Sequence, residues 1–225
     1  MTTPSINLRR IPGITNWDEA KPHLDMLAGT VINDIAPLLQ TTGGAPHTVS
    51  REVFCYVDYL GALYVGTGGV PIDRTSGLAQ VGYRFTRYLE DVMSLVDPAY
   101  ATMAKTLYEM FRSGTVHEFD PKTLKNNVGV FLSWMEYSGQ RYEPKLFPFP
   151  VQHLKITQHP DRFVSGGSLP LYALPVSTIL LIQDLLASFE HFKSGLGNPL
   201  ERMNRWNEAA KVLNKPKSFE FPWLP

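Results

Sequence analysis

The chain of 225 residues is 44% hydrophobic and 19% charged, so it can bury a core and is not typical of a disordered protein. Its 21 basic residues balance 21 acidic residues, which excludes the broad positive field of a protein that binds nucleic acid avidly regardless of sequence. Because the chain has a single cysteine, no secretory signal and no apolar run near the roughly 20 residues that cross a bilayer, we predict a cytoplasmic protein without a membrane segment.

Four amphipathic helices are predicted within residues 21–125. In the first, apolar residues recur every three or four positions until a glycine-rich break, as expected of one buried helix face. The second is expected to begin at a Thr48 or Ser50 cap, and the third after residues 73–77. The fourth is expected to begin at Pro98, because proline is tolerated in the first turn of a helix. Four helices with short connections favour an up-and-down bundle.

A β-rich insertion is predicted over residues 126–170. Residues Val128–Tyr137 are rich in β-branched and aromatic side chains, and residues Val151–Thr157 alternate apolar and polar side chains, so each segment is expected to form a strand. Prolines between the two segments mark a loop. We expect a small β-hairpin or three-stranded insertion, because a unit of this size cannot bury a core of its own.

Helices are expected to close the chain over residues 171–225. One is predicted over Val176–Lys193 and another over Pro199–Leu213, followed by the aromatic tail Phe219–Pro225. The predicted fold class is therefore mainly α. We expect a single domain of residues 1–225, an up-and-down helical bundle with a small β insertion.

The histidines do not form the short-spaced pairs that metal sites need. Six are scattered along the chain. His153 and His159 could share a strand face, but no carboxylate or cysteine is placed to complete a ligand set. We therefore expect no metal ion and no other cofactor.

The segment Arg112-Ser-Gly-Thr-Val-His117 carries the most specific chemical signature in the chain. Histidine can take or give a proton near neutral pH, and arginine offers a fixed fork of donors to a phosphate as its charge builds up. This pair suits the attack of a ribose 2′-hydroxyl on its own phosphate, a reaction that needs no metal. Lys105, Tyr108 and Lys122 are candidate contacts to RNA or phosphate.

The spacing of Arg112 and His117 sets a geometric condition. On a continuous α-helix the two side chains would be about 500° apart, or about 140° beyond one full turn, and would face different ways. They can meet if Gly114 interrupts the helix, or if two copies of the segment assemble one site across a dimer interface. Otherwise Arg112 pairs with Glu109 or Glu118. His117 then only fills the end of a helix.

The segment resembles the R-x4–6-H motif of HEPN domains. Its wider context is similar to a group of uncharacterised bacterial HEPN-like proteins, on the residues Val53–Tyr64, Phe85–Leu89 and Leu107–His117. The resemblance implies a helical bundle and a metal-independent endoribonuclease site. Such sites are commonly built at a homodimer interface.

Carried over to this chain, the resemblance implies a role for each residue of the motif. Arg112 would stabilise the phosphate, His117 would act as acid or base, and Ser113 would occupy the polar position after the arginine. The protein would then be a ribonuclease of a toxin or defence system, with RNA as substrate and an antitoxin or other protein as partner. Alternatively, it is a non-catalytic HEPN-like module that binds a nucleotide, a nucleic acid or a protein. In a third interpretation, Arg112 and His117 only stabilise the interface of a homodimer.

Overall fold

The computed structural model describes residues 10–39, 46–67, 78–112, 122–144, 150–163 and 170–215. The α-helices in these ranges are α1 (Lys21–Leu39), α2 (Pro46–Val65), α3 (Val81–Asp91), α4 (Ala99–Leu107), α5 (Thr178–Ser194) and α6 (Pro199–Leu213). The strands are β1 (Leu124–Lys125), β2 (Phe131–Tyr137), β3 (Tyr142–Glu143), β4 (Val151–Gln152), β5 (Thr157–Phe163) and β6 (Pro170–Ser177). Short 3-10 helices precede α1 and α4, at Trp17–Ala20 and Met93–Leu95, and a π turn follows α4 at Tyr108–Arg112.

Helix α2 is the central helix, because it packs against α1, α3, α5 and α6. Its apolar side chains, among them Val53, Val57 and Leu60, are fully buried. Gly61 lets α3 come close, because a Cβ at this position would lie 2.3 Å from the carbonyl oxygen of Arg84. The expectation of a mostly helical chain is confirmed for the residues that the structure describes.

Four strands form a mixed sheet in the order β1-β2-β6-β5. Strands β2 and β6 run parallel, with Phe131 opposite Leu171, whereas β1 and β5 are antiparallel to their neighbours. Strands β3 and β4 form a separate two-stranded sheet. Leu174 and Val176 of β6 belong to the same hydrophobic core as the helices, so the sheet is one layer of that core.

The predicted fold class, an up-and-down helical bundle with a hairpin or three-stranded insertion, is wrong. The helices pack on a four-stranded mixed sheet, and its central strand β6 lies mostly in residues 171–225, which were expected to be helical. Local sequence could not reveal β6, because Leu171 pairs with Phe131, 40 residues earlier in the chain. The single strand predicted over Val151–Thr157 is also wrong. Leu154 adopts a φ of +57° there and turns the chain between β4 and β5.

Strand β6 contains Pro175, a residue type that rarely occurs in a central strand because it lacks an N–H. The ladder with β5 ends at the pair of Thr157 and Ala173, so no hydrogen bond to β5 is lost at Pro175. Its carbonyl oxygen accepts a hydrogen bond from the Leu154 amide at 2.9 Å. The turn at Leu154 therefore covers the part of β6 that β5 leaves unpaired.

In the described part of the chain, none of the helices is both long and apolar enough to span a bilayer. The aromatic tail predicted at Phe219–Pro225 lies outside the described residues.

Candidate functional site

The chain leaves α-helical geometry just before the Arg112–His117 motif. Helix α4 ends at Leu107, and the next five residues form the π turn that ends at Arg112. Arg112 is described by its backbone, and Ser113, Gly114 and His117 lie outside the described residues. The chain is described again from Lys122, whose amide donates a hydrogen bond of 3.0 Å to the carbonyl oxygen of Met110. The residues before and after the motif are therefore fixed beside each other.

The π turn is anchored in the core. Met110 and Phe111 are both fully buried. The ring of Phe111 packs against Phe54 of α2, with ring centroids 4.8 Å apart, and against Trp134 of β2. This packing fixes the backbone position from which Arg112 extends.

The structure places the three candidate phosphate contacts on different surfaces. Lys105 is exposed on α4 and lines a cavity over the sheet. Tyr108 instead packs toward α3, where its ring lies 5.7 Å from that of Phe85 and close to Gly82. Lys122 lies beside the π turn, because its backbone amide donates a hydrogen bond to the carbonyl oxygen of Met110. Lys105 and Tyr108 therefore do not share one polar helix face.

The cavity over the sheet, here called the sheet cavity, has a volume of about 770 Å³. A row of paired residues, Leu124, Leu132 and Tyr172, crosses β1, β2 and β6 on one face and forms its floor. Its remaining lining residues are Lys105, Lys125, Asn126, Val130 and Ile156. The sheet cavity thus combines an apolar, partly aromatic floor with two lysines.

A second polar arrangement lies at the other end of the sheet, where β6 ends at Ser177. Asp184 of α5 accepts hydrogen bonds from Arg141 at 2.9 and 3.1 Å and from the Tyr100 hydroxyl at 3.1 Å. The five residues of this Asp184 network are Asp97, Tyr100, Arg141, His153 and Asp184, and Arg141 also pairs with Asp97. The network joins α4, α5 and the loops after β2 and β4.

His153 is held as a neutral ring within the Asp184 network. The Ser177 amide donates to its Nδ1 at 3.0 Å, so the proton of the neutral ring lies on Nε2, which is 3.4 Å from the Tyr100 hydroxyl. Burial, together with the nearby Arg141 cation, lowers the pKa of His153 to about 3. His153 is 1% exposed and Tyr100 is 0% exposed, so neither can reach a substrate, whereas the Arg141 side chain is 39% exposed. We interpret the Asp184 network as a structural cluster that holds these elements together.

The sequence analysis missed this network. Its members are ordinary polar residues that lie far apart in the sequence. Arg141 and Asp184, for example, are more than 40 positions apart. The available signal was Asp184 itself, which follows Ile179–Ile182 on a helix that is otherwise strongly apolar. A buried carboxylate there requires a charged or hydrogen-bonding partner.

Neither a metal-binding group nor a related protein assigns a function to these residues. Within the described ranges, no group of three or more His, Cys, Asp or Glu side chains is arranged to hold a metal ion. Comparison with protein families, curated proteins and solved structures finds no match to this chain.

Proposed function

We propose that the chain is a metal-independent endoribonuclease that uses Arg112 and His117. The observation that supports this most is the departure from α-helical geometry at Leu107, together with the hydrogen bond between Lys122 and Met110. A single continuous helix would hold the Arg112 and His117 side chains on different faces. The hydrogen bond between Lys122 and Met110 supports a turn within the segment that follows Arg112, because it holds the two ends of that segment beside each other.

The reaction would be attack of a ribose 2′-hydroxyl on the adjacent phosphate. His117 removes the proton of the hydroxyl or returns one to the leaving oxygen. Arg112 donates hydrogen bonds to the phosphate oxygens as negative charge builds up on them, and Ser113 occupies the polar position between the two. The products are a 2′,3′-cyclic phosphate and a 5′-hydroxyl. A homodimer, in which two copies of the motif share one site, is part of this proposal, as is a role in a toxin or defence system.

The test is cleavage of a single-stranded RNA in the presence of EDTA. The wild type should release 2′,3′-cyclic phosphate ends, and Arg112→Ala and His117→Ala should each lower the rate by about 100-fold or more, in line with the loss of an acid–base group or a phosphate donor. His191→Ala, in the last turn of α5, is the matched histidine control and should cleave like the wild type. Equal cleavage by the wild type and both motif variants would refute the assignment.

A second candidate is a non-catalytic module that binds a nucleotide, a nucleic acid or a protein partner. It is supported by the balanced charge of the chain, which does not favour strong general binding to RNA, and by the size of the sheet cavity. Saturable binding without any RNA cleavage by the wild type would favour this candidate.

A further inference from the structure

The sheet cavity has the composition of a site for an anionic ligand with a flat apolar part. Its volume of about 770 Å³ lies within the range of about 300–1,000 Å³ that is usual for small-molecule sites. Among the described residues that line it are two lysines and no acidic residue. The lining therefore attracts negative charge, while its floor favours a ring or another apolar group.

The two lysines are available to a ligand. Among the described residues, neither Lys105 nor Lys125 forms an ion pair with a carboxylate. The ammonium group of Lys125 lies 5.2 Å from the ring centre of Phe131, its partner across the β1–β2 pair, on the face opposite Leu124 and Leu132. Because β1 is an edge strand, the flexible side chain of Lys125 can reach the cavity around that edge. An exposed lysine without a carboxylate partner can bind a phosphate without first breaking an ion pair.

The apolar floor is fixed by the sheet. Leu132 pairs with Leu124 on one side and with Tyr172 on the other, so the three side chains share one face. The turn that joins β1 to β2 is also fixed, because the Oδ1 atom of Asn126 accepts hydrogen bonds from the amides of Val128 and Val130. The side-chain nitrogen of Asn126, Nδ2, remains as a further donor. A ring that enters the cavity meets a surface that needs no rearrangement.

We propose that the sheet cavity binds a nucleoside phosphate, with the base against Tyr172 and Leu132 and the phosphate between Lys105 and Lys125. Aromatic side chains stack on bases of any sequence, and lysines hold phosphates as point charges. The same chemistry fits a free mononucleotide and a nucleotide within a single strand of RNA. The site is local, as the zero net charge of the chain requires.

The position of the cavity relates it to the motif. Lys105 lies seven residues before Arg112, separated from it by the end of α4 and the π turn. On the other side, Lys125 follows Lys122, the residue bonded to Met110 in the π turn, by three positions. This inference deepens the proposed ribonuclease, and it rests on that proposal for the step from nucleotide to RNA substrate.

A second basic cavity provides the matched control. It has a volume of about 540 Å³ and is lined by Arg10, Lys211 and Lys215. No aromatic side chain is among the described residues that line it, and two of its other lining residues, Asn207 and Asn214, hold the backbone of residues 11–14. It offers charge without a stacking surface.

Binding can be measured separately from cleavage with two probes, adenosine monophosphate by calorimetry and a fluorescein-labelled oligodeoxyadenylate by anisotropy. The DNA probe lacks the 2′-hydroxyl and cannot be cleaved by the proposed reaction. The Lys105→Glu/Lys125→Glu variant should bind at least about tenfold more weakly, with the salt dependence of binding reduced by about 1.4 in slope for two lost phosphate contacts. Tyr172→Ala should lose about 5- to 150-fold, the range for one stacked base. Tyr172→Phe should stay close to the wild type.

The Lys211→Glu/Lys215→Glu variant carries the same change in charge and should bind both probes like the wild type. Binding of the monophosphate indicates a mononucleotide site, and binding of the oligonucleotide alone indicates a strand site; either result supports the cavity. The inference is overturned if the wild type binds neither probe at millimolar concentration, or if the control variant loses as much binding as Lys105→Glu/Lys125→Glu. RNA cleavage that is unaffected in the cavity variants refutes the link between the cavity and the RNA substrate, and it leaves the ribonuclease standing. If the wild type binds the probes through the cavity but cleaves no RNA, the cavity is supported and the ribonuclease is refuted.

Discussion

Replacing His153 by asparagine removes a titrating ring from the Asp184 network and keeps an acceptor for the Ser177 amide. In the native chain this amide donates to Nδ1 of His153 at 3.0 Å. The Oδ1 atom of asparagine occupies nearly the same position relative to the backbone. The variant therefore isolates the protonation of the ring from the hydrogen bond that holds β6 to the turn after β4.

The magnitude of the effect follows from the pKa of His153, which burial and the Arg141 cation lower to about 3 in the folded protein. Above the ordinary histidine pKa of about 6.5, the ring is unprotonated in both the folded and the unfolded chain, so His153 does not lower the free energy of unfolding. As the pH falls below that value, His153 is protonated in the unfolded chain but stays neutral in the folded chain. The free energy of unfolding then falls by about 1.4 kcal/mol per pH unit down to about pH 3. At about pH 5 the loss is about 2 kcal/mol, a large part of the usual 5–15 kcal/mol.

Other groups do not obscure this difference. Burial raises the pKa of Asp184, so its protonation favours the folded state as the pH falls, in the opposite direction to His153. Burial also lowers the pKa of His23, which adds to acid sensitivity. Both groups are present in the wild type and in the variant. The comparison of the two proteins therefore reports His153.

The assay is urea unfolding, followed by tryptophan fluorescence, at a series of pH values from about 7.5 to 5. His153→Asn should have a constant offset in stability near neutral pH, and should lose about 2 kcal/mol less than the wild type on going to about pH 5. Tyr100→Phe is the control, because it removes the hydroxyl beside Nε2 and keeps the ring of His153. Parallel curves for the wild type and His153→Asn across this range would refute the reasoning.

The remaining predictions use pairs of glycines that differ in their surroundings. Gly61→Ala should destabilise the protein by about 1–3 kcal/mol, because the new Cβ would lie 2.3 Å from the Arg84 carbonyl oxygen; Gly29→Ala, with no atom within 4 Å, should be neutral or slightly stabilising. Gly195→Ala should cost more than Gly197→Ala, because both have a positive φ but a Cβ at Gly195 would lie 1.1 Å from Nη1 of Arg202, whereas Gly197 faces open space. Thermal unfolding of the four variants measures both differences, and equal melting temperatures within either pair would contradict the packing argument.

Helices α5 and α6 could be predicted because their signals are local, whereas α2 begins at Pro46 and not at the expected Thr48 or Ser50 cap. Helix α6 begins at Pro199 as expected, since the Asn198 side chain accepts hydrogen bonds from the amides of Leu200 and Glu201, and proline in the first helical turn needs no donor. Helix α5 was expected from Val176, close to its observed start at Thr178. Each of these starts depends on residues within one turn of it.

The sheet and the π turn before the motif could not be predicted in the same way, because they depend on distant contacts. Strand β6 runs into helix α5 within one continuous apolar stretch. The Ser177 cap marks the start of the helix, but only the pairing with β2 shows that the residues before it form a strand. The sequence pointed to Gly114 as the place where the helix breaks. That residue lies outside the described part of the chain, but α-helical geometry already ends at Leu107, and the packing of Phe111 against Phe54 and Trp134 holds the π turn that follows.

The same contacts explain why the sheet cavity can stay open. Helix α4 is tied to the rest of the molecule at both ends, through Tyr100 in the Asp184 network and through Phe111 in the π turn. Lys105 lies between these two anchors, so α4 cannot move onto the sheet to close the space beside it without breaking one of them. The anchors at Tyr100 and Phe111 thus maintain a cavity that the surface residues Lys105 and Lys125 can use for binding, and substitution of these two lysines should change binding without changing the melting temperature.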